Sequence, residues 1–276
     1  MTRLHLPPPK MVATDVDGTL IDHDERVSDR TRAAVTALVA DGVPFVLATG
    51  RPPRWVDPIV EGLGHAPLCV CANGAVLYDS ATDRILGAYT LGIETLTRVA
   101  EIAERVLPGC GLAAERVGAS AHDAATPQFV SAPDYEHAWL NPDDTEVARH
   151  EVVAAPAIKL LIRMRGADSG QMRAALAPFV GDQADITYST DHGLIELSAP
   201  GVTKASGLVT VAQRLGIDRD RVIAFGDMPN DVPMLELAGH GVAMANGHAE
   251  AIAAANEVTS TNVEDGVARV LERWWK

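Results

Sequence analysis

Three things are scarce in this 276-residue chain: cysteine, positive charge and uninterrupted apolar sequence. Cys69, Cys71 and Cys110 make an odd count without framework spacing, and Cys69 and Cys71 fall in an apolar, strand-like run, so they read as reduced core thiols. Cys-x-Cys also lacks a second Cys/His pair at finger spacing, which favours packing over a zinc site. Lys and Arg number 23 against 37 Asp and Glu, giving a formal net charge of −14. No basic run offsets that charge, so nucleic-acid phosphates and anionic membrane surfaces are repelled and neither is an expected partner. No apolar stretch approaches the roughly 18 residues a membrane span requires. The proline-rich start, Met1 to Lys10, has no apolar h-region. A cytoplasmic location is therefore expected, and neither repeats nor low-complexity tracts are present.

What the chain does have is ordinary globular material, 47% apolar and 22% charged, in a length that exceeds one typical domain of about 100 to 200 residues. Two domains follow as the expectation. The stretch around which the rest is organised is Asp15-Val16-Asp17-Gly18-Thr19-Leu20, directly after the apolar run Met11 to Thr14. The two-residue period of a strand sends Asp15 and Asp17 to one side, and Gly18 frees the backbone to turn. The pair then lies beyond the carboxyl end of a strand, where open parallel sheets bind ligands. Two carboxylates that close require a cation or a shared proton between them, although a capped turn would use the same residues.

Further strands are expected at Phe45–Ala48, Leu68–Cys71, Val222–Phe225 and Val242–Met244. A helix capped by Ser28 joins Met11–Thr14 to Phe45–Ala48, its apolar face made by Val35, Leu38 and Val39. Trp55, Ile59 and Val60 suggest another. Val76–Tyr78 and Ile85–Leu86, around the turn Asp79 to Asp83, suggest a hairpin. From Gly92 the pattern changes. A helix carrying Ile93, Leu96, Ala100, Ala103 and Val106 precedes a polar, proline-containing region from Ala113 to Pro156. A strand at Ile158–Met164, a helix around Met172–Phe179 and a strand at Ile186–Ser189 follow. Lys204 opens a helix that turns Ala205, Leu208, Val209 and Ala212 inward, and a last helix holds Val267, Val270 and Leu271. The fold class expected is α/β: a Rossmann-like parallel-sheet core, residues 1–85 and 199–276, with an inserted α+β cap domain at 86–198.

Strand ends bring Asp15, Asp17, Thr49, Asp227, Asn230 and Asp231 to one crevice, with Lys204 as the cation placed beside them. That inventory suits phosphoryl transfer: carboxylates for Mg²⁺, which prefers oxygen ligands, and a lysine and hydroxyl for phosphate oxygens. A carboxylate attacking phosphorus gives an acyl phosphate that a base and water then hydrolyse. Asp15 as nucleophile and Asp17 as acid then base divides the work.

Asp15-Val16-Asp17-Gly18-Thr19, Thr49-Gly50-Arg51, Lys204 and Gly226-Asp227-Met228-Pro229-Asn230-Asp231 resemble the four ordered motifs of the haloacid dehalogenase (HAD) superfamily phosphatases. Asn73-Gly74-Ala75, Pro200-Gly201-Val202-Thr203-Lys204, Asn262–Gly266 and the place of the insertion resemble its Cof-type branch, which carries a large α/β cap. The resemblance implies that Asp15 becomes aspartyl phosphate while Asp17 protonates the leaving alcohol and then activates water. It implies that Thr49, the Gly50 backbone and Lys204 hold phosphoryl oxygens, with Asn230 as a hydrogen-bonding neighbour. Mg²⁺ would be held by the Asp15 and Asp227 carboxylates and the Asp17 carbonyl, with Asp231 as a further acidic residue of the metal site.

Each residue has a plainer reading: Thr49-Gly50 as a strand stop, Lys204 as a solvated first-turn residue, Asn230-Asp231 as a helix cap. Arg51 would orient its loop or pair with an acid. In the cap, His122, Asp123, Gln128, Tyr135, His137 and Trp139 are specificity candidates by residue type, and Lys159 reads as an exposed sheet lysine or a reach toward an anion. The expected activity is Mg²⁺-dependent hydrolysis of small phosphorylated metabolites, sugar phosphates among them. The alternatives are a phosphomutase on the same core and a catalytically silent phosphate-binding or signalling protein. The oligomeric state is left open.

Overall fold

The structure, a computed structural model, describes residues 7–138 and 141–275; Trp139, named above as a cap candidate, lies outside the described residues. The strands in chain order are β1 (Met11–Thr14), β2 (Phe45–Ala48), β3 (Leu68–Cys71), β4 (Val76–Asp79), β5 (Arg84–Ala88), β6 (Gly111–Glu115) and β7 (Phe129–Ser131). They continue as β8 (Asp144–Glu146), β9 (Lys159–Arg163), β10 (Asp185–Thr187), β11 (Leu194–Ser198), β12 (Val222–Gly226), β13 (His240–Ala243) and β14 (Glu257–Val258). The helices are α1 (Asp29–Ala40), α2 (Asp57–Leu63), α3 (Ile93–Val106), α4 (Arg149–Val152), α5 (Ser169–Val180), α6 (Lys204–Leu215), α7 (Val232–Leu237), α8 (Ala249–Ala254) and α9 (Gly266–Leu271). The chain divides into one unit of Met1–Thr49, Val56–Val70 and Lys204–Lys276 and another of Gly50–Trp55 and Cys71–Thr203.

In the first unit the strands run parallel in the order β14, β13, β12, β1, β2, β3. Their composition explains their place: β1, β2 and β12 are apolar throughout or nearly so, and every residue in them is buried, as a sheet covered on both faces demands. From β1 the chain moves outward through β2 and β3; it returns later on the other side of β1 through β12, β13 and β14. The reversal falls between β1 and β12, the switch point at which ligands collect in open parallel sheets. The Ser28 side chain accepts from the Thr31 N–H at the start of α1, and Asp41 with Gly42 (φ 77°) closes it, as the sequence indicates. Trp55 stands in a short 3₁₀ turn before α2 instead of within that helix. The inward stripe of α6 is Lys204, Gly207, Leu208, Val211 and Ala212 rather than one running through Ala205 and Val209, because the lysine at its start is itself buried and sets the phase.

The second unit holds the β4–β5 antiparallel hairpin and a six-stranded sheet ordered β10, β11, β9, β6, β7, β8. This sheet is antiparallel except between β7 and β8. α3 and α5 cover one face: Leu96, Val99, Met172 and Leu176 pack with Leu112, Leu160, Ile162, Ile195 and Leu197. Ile93, expected inward on α3, is 47% exposed; the buried stripe is Leu96, Val99, Ala100, Ile102 and Ala103. The polar, proline-containing region between Ala113 and Pro156 holds the end of β6 together with β7 and β8, and the strand expected at Ile186–Ser189 ends at Thr187. On the face away from the helices, Phe129, Tyr135, Leu161 and Leu194 form a smaller apolar cluster with Ala113.

Candidate active site

Asp15 is the first residue beyond β1, its N–H donating to the Phe225 carbonyl of β12 at 2.9 Å. Asp227 follows β12, and Thr49 follows β2, so the three flank β1 at one end of the sheet. Lys204, at the start of α6, sends its ammonium between two carboxylates, 2.6 Å from Asp15 Oδ1 and 2.7 Å from Asp231 Oδ1. The other Asp231 oxygen accepts the N–H groups of Asp227 and Met228, each at 2.9 Å. Asp231 thus folds the loop after β12 back on itself while holding the lysine, and it does not cap α7 with its side chain. The plainer readings of Lys204 and Asp231 do not describe what these side chains do.

Asp227 Oδ1 accepts from the Thr19 hydroxyl at 2.9 Å. Its other oxygen lies so close over Gly18 that a Cβ there would come within 2.3 Å, and Gly18 has φ 74°. Glycine is required on both counts. Asn246 donates to the Gly18 carbonyl at 2.8 Å and Asn262 to the Ile21 carbonyl at 2.8 Å, so the C-terminal loops tie down the turn after β1. Thr19 and Asn246 were not singled out by spacing; their roles depend on partners more than 200 positions away.

Carboxylate oxygens of Asp15, Asp227 and Asp231 lie within 4.8 Å of one another. Burial drives the Asp15 carboxyl well above its ordinary range, and the Asp231 charge adds to the rise while Lys204 opposes it. Asp227 is raised to about 6, again by burial first and by Asp231 second. Burial acts to depress Lys204, but Asp15 and Asp231 overcome it and hold the ammonium charged. Three carboxylates against one ammonium leave two negative charges in excess. An all-oxygen set with that surplus fits a hard divalent cation, the class to which Mg²⁺ belongs.

Asp17 is exposed, so its carboxylate is not one of the three that cluster. Thr49 is fully buried, Asn230 is buried at the turn before α7, and Gly50 is half-buried at the start of the second unit.

The remaining cap candidates divide. Asp123 accepts the N–H groups of Ala119 and Ala125, and buried Gln128 donates to the Ala121 carbonyl, so both shape their own loop. Tyr135 is buried edge-on to His137 at 5.1 Å, and His137 Nε2 lies 3.0 Å from Asp144. His122 is exposed. Lys159, read above as an exposed sheet lysine, is 3% exposed and ion-paired with Glu196. All three cysteines are buried.

A sequence profile of the haloacid dehalogenase-like hydrolases matches residues 12–271. The chain belongs to that family. Among HAD relatives, a 5-amino-6-(5-phospho-D-ribitylamino)uracil phosphatase of Bacillus subtilis is 30% identical over 271 residues, 97% of this chain and 98% of the relative. A haloacid dehalogenase-like hydrolase of Bacteroides thetaiotaomicron superposes with a TM-score of 0.74 at 25% identity, covering 96% of this chain and 99% of that one. A HAD subclass IIB sugar phosphatase superposes at 0.79 with 22% identity over 96% and 98%, a likeness of fold. The protein is a HAD-type phosphatase, a phosphoric monoester hydrolase of the Cof-type branch. No helix among the described residues is long and apolar enough to cross a membrane.

Proposed function

We propose that the protein is a Mg²⁺-dependent phosphatase of small phosphorylated metabolites, sugar phosphates among them, working through an aspartyl phosphate on Asp15. The observation that carries this reading is the Asp15–Lys204–Asp231 bridge beside Asp227, a preformed cluster of acids and one ammonium at the sheet's switch point. Asp15 attacks phosphorus in line with the leaving alkoxide; the P–O bond to the alcohol breaks, and Asp17 delivers the proton that the alcohol carries away. Asp17 then takes a proton from water, whose oxygen displaces the Asp15 carboxylate and releases phosphate. Its exposure supports the second role, since a proton shuttle needs contact with solvent.

Thr49, the Gly50 N–H and Lys204 are assigned to the phosphoryl oxygens, with Asn230 beside them. Donors fixed before the reaction stabilise charge as it develops without reorganising at that moment. Asp15, Asp227, the Asp17 carbonyl and Asp231 are the residues that would hold Mg²⁺. The ion supplies charge neutralisation at the transferring phosphoryl group. Residues 86–198 are assigned as the substrate-specifying cap of a core made by 1–85 and 199–276.

A panel of phosphate esters assayed for released phosphate, with and without Mg²⁺ and beside Asp15→Asn, tests the assignment. Hydrolysis that depends on Mg²⁺ and disappears in Asp15→Asn is expected. Undiminished activity in that variant removes the nucleophile, and transfer of the phosphoryl group to a second position on the sugar, without free phosphate, favours a mutase.

A further inference from the structure

The face of the second unit's sheet that turns away from α3 and α5 carries charges with no part in the cluster around Asp15. Strand alternation puts Leu160 and Ile162 under the helices and so puts Lys159 on the opposite face; Glu196, between Ile195 and Leu197, stands there too. Both are nearly fully buried. Lys159 Nζ donates to Glu196 Oε1 at 2.6 Å and to the backbone carbonyl of Gly50 at 2.8 Å. Asn73 Nδ2 donates to the other Glu196 oxygen at 3.0 Å. Asn73 has φ 56° and Ala72 before it φ 51°. A Cβ on Gly50 would lie 3.3 Å from Asn73 Oδ1.

These features are costly. Withdrawing an ion pair from water carries a desolvation penalty that attraction must first repay, and a well-packed apolar pair is often as stable or more so. Two successive non-glycine residues in the left-handed region add backbone strain. Packing of the sheet therefore does not explain the arrangement. What it holds is the carbonyl of Gly50, one residue after Thr49.

We propose that Lys159 and Glu196, braced by Asn73, are positioning residues that fix the Gly50 peptide and thereby the donor geometry of the loop that grips the phosphoryl group. The inference rests on the assignment of Thr49 and Gly50 under Proposed function. Glycine has the widest backbone freedom of any residue, so an unanchored Gly50 would let the peptide plane that carries its carbonyl and the Arg51 N–H turn over many directions and loosen the loop. A hydrogen bond to its carbonyl removes the ψ freedom, and the absence of a side chain lets Asn73 close against it. Glu196 keeps the ammonium from swinging to another acceptor, and Asn73 keeps Glu196 in place. None of the three needs to touch substrate.

The test uses the full chain with Mg²⁺, p-nitrophenyl phosphate as substrate and inorganic phosphate as product inhibitor, in wild type, Lys159→Met, Glu196→Gln, Lys159→Arg and the double variant Lys159→Met/Glu196→Gln. Lys159→Met is expected to lose both Tm and kcat/KM, the latter by about 10- to 100-fold, the scale on which small misplacements act. Its inhibition constant for phosphate should rise in step. The double variant has no unpaired buried charge, so it should regain Tm while kcat/KM stays at least about tenfold down; Lys159→Arg, which keeps a donor, should recover part of the rate. Joint recovery of Tm and kcat/KM in the double variant would show a structural pair and overturn the inference. Glu196→Gln keeps its volume and an acceptor and is expected to fold in any case with a several-fold loss; wild-type kinetics in it overturns the inference alone. A wild-type chain that cleaves no ester removes the phosphatase assignment and this inference together.

Discussion

Lys204 holds its ammonium 2.6 Å from the Asp15 carboxylate, 189 positions away in sequence, and neither side chain is more than 7% exposed. Water does little there to screen either charge. Replacing Lys204 by Met leaves Asp15 and Asp231 facing each other without their counter-charge, and breaking a buried pair on one side costs about 3–5 kcal/mol. Lys204→Met should therefore lower Tm by several degrees and reduce kcat/KM by about 100-fold or more, the scale for losing a preorganised donor. Lys204→Arg should not rescue it, because a planar guanidinium does not fit a space shaped for a compact ammonium. Thermal melts and ester hydrolysis on both variants check the pair, and wild-type kinetics in Lys204→Met would reject it.

Gly18 is the site at which the smallest change should do the most. An added methyl meets Asp227 Oδ2 at 2.3 Å, and φ 74° is unfavourable for any other L-residue. Gly18→Ala should cost about 1–3 kcal/mol of stability, the scale of local backbone strain. It should also displace Asp227 and weaken Mg²⁺ activation. The check is the Mg²⁺ concentration giving half-maximal activity, expected to rise at least severalfold; no change would show that Asp227 tolerates displacement.

Much of this site is legible in the sequence because its carriers sit at the ends of short apolar runs: Asp15 after Met11–Thr14, Asp227 after Val222–Gly226. Such runs bounded by glycine can be read locally. The second unit's sheet is harder, because β6 is Gly-Leu-Ala-Ala-Glu, without a β-branched residue, and its buried Glu115 makes it look polar. Lys159 misleads for a related reason. A lysine in a strand is ordinarily exposed, and the fact that buries this one, Glu196 at 2.6 Å, lies 37 positions along the chain. Buried charge is set by its partner, and spacing alone does not name partners.

Glu115 gives the protein a pH-dependent stability with a definite sign. Its carboxylate pairs with Arg54 at 2.5 Å, and Arg54 also reaches Asp143 at 2.8 Å. Burial still raises Glu115 to about 7, because the lost hydration outweighs what Arg54 and Lys159 return. Between its unfolded value of 4.5 and about 7 the folded chain holds more of this proton than the unfolded chain, so this contribution to stability falls as pH rises through that window and is flat above it. At about 1.4 kcal/mol per pH unit the effect is at most roughly 3.5 kcal/mol. Glu115→Gln cannot ionise, so the stability of wild type relative to the variant should decline from pH 5 to pH 7.5 in denaturant titrations. A pH-independent difference would place the Glu115 pKa near its ordinary value.

Asp15→Asn should separate catalysis from stability. In the metal-free protein Asp15 ionises against burial and against Asp231 and Asp227, with Lys204 only partly compensating. An amide of the same shape removes that repulsion, so at pH 8 in a chelator the variant should melt no lower than wild type while releasing no phosphate. Adding Mg²⁺ reverses the order. A ligand at 100 times its Kd stabilises a protein by about 2.7 kcal/mol, and wild type should gain on that scale, whereas the variant, lacking one of the clustered carboxylates, should gain less. Melts with and without Mg²⁺ read both effects, and an equal gain in the two proteins would mean that the ion sits elsewhere than against Asp15.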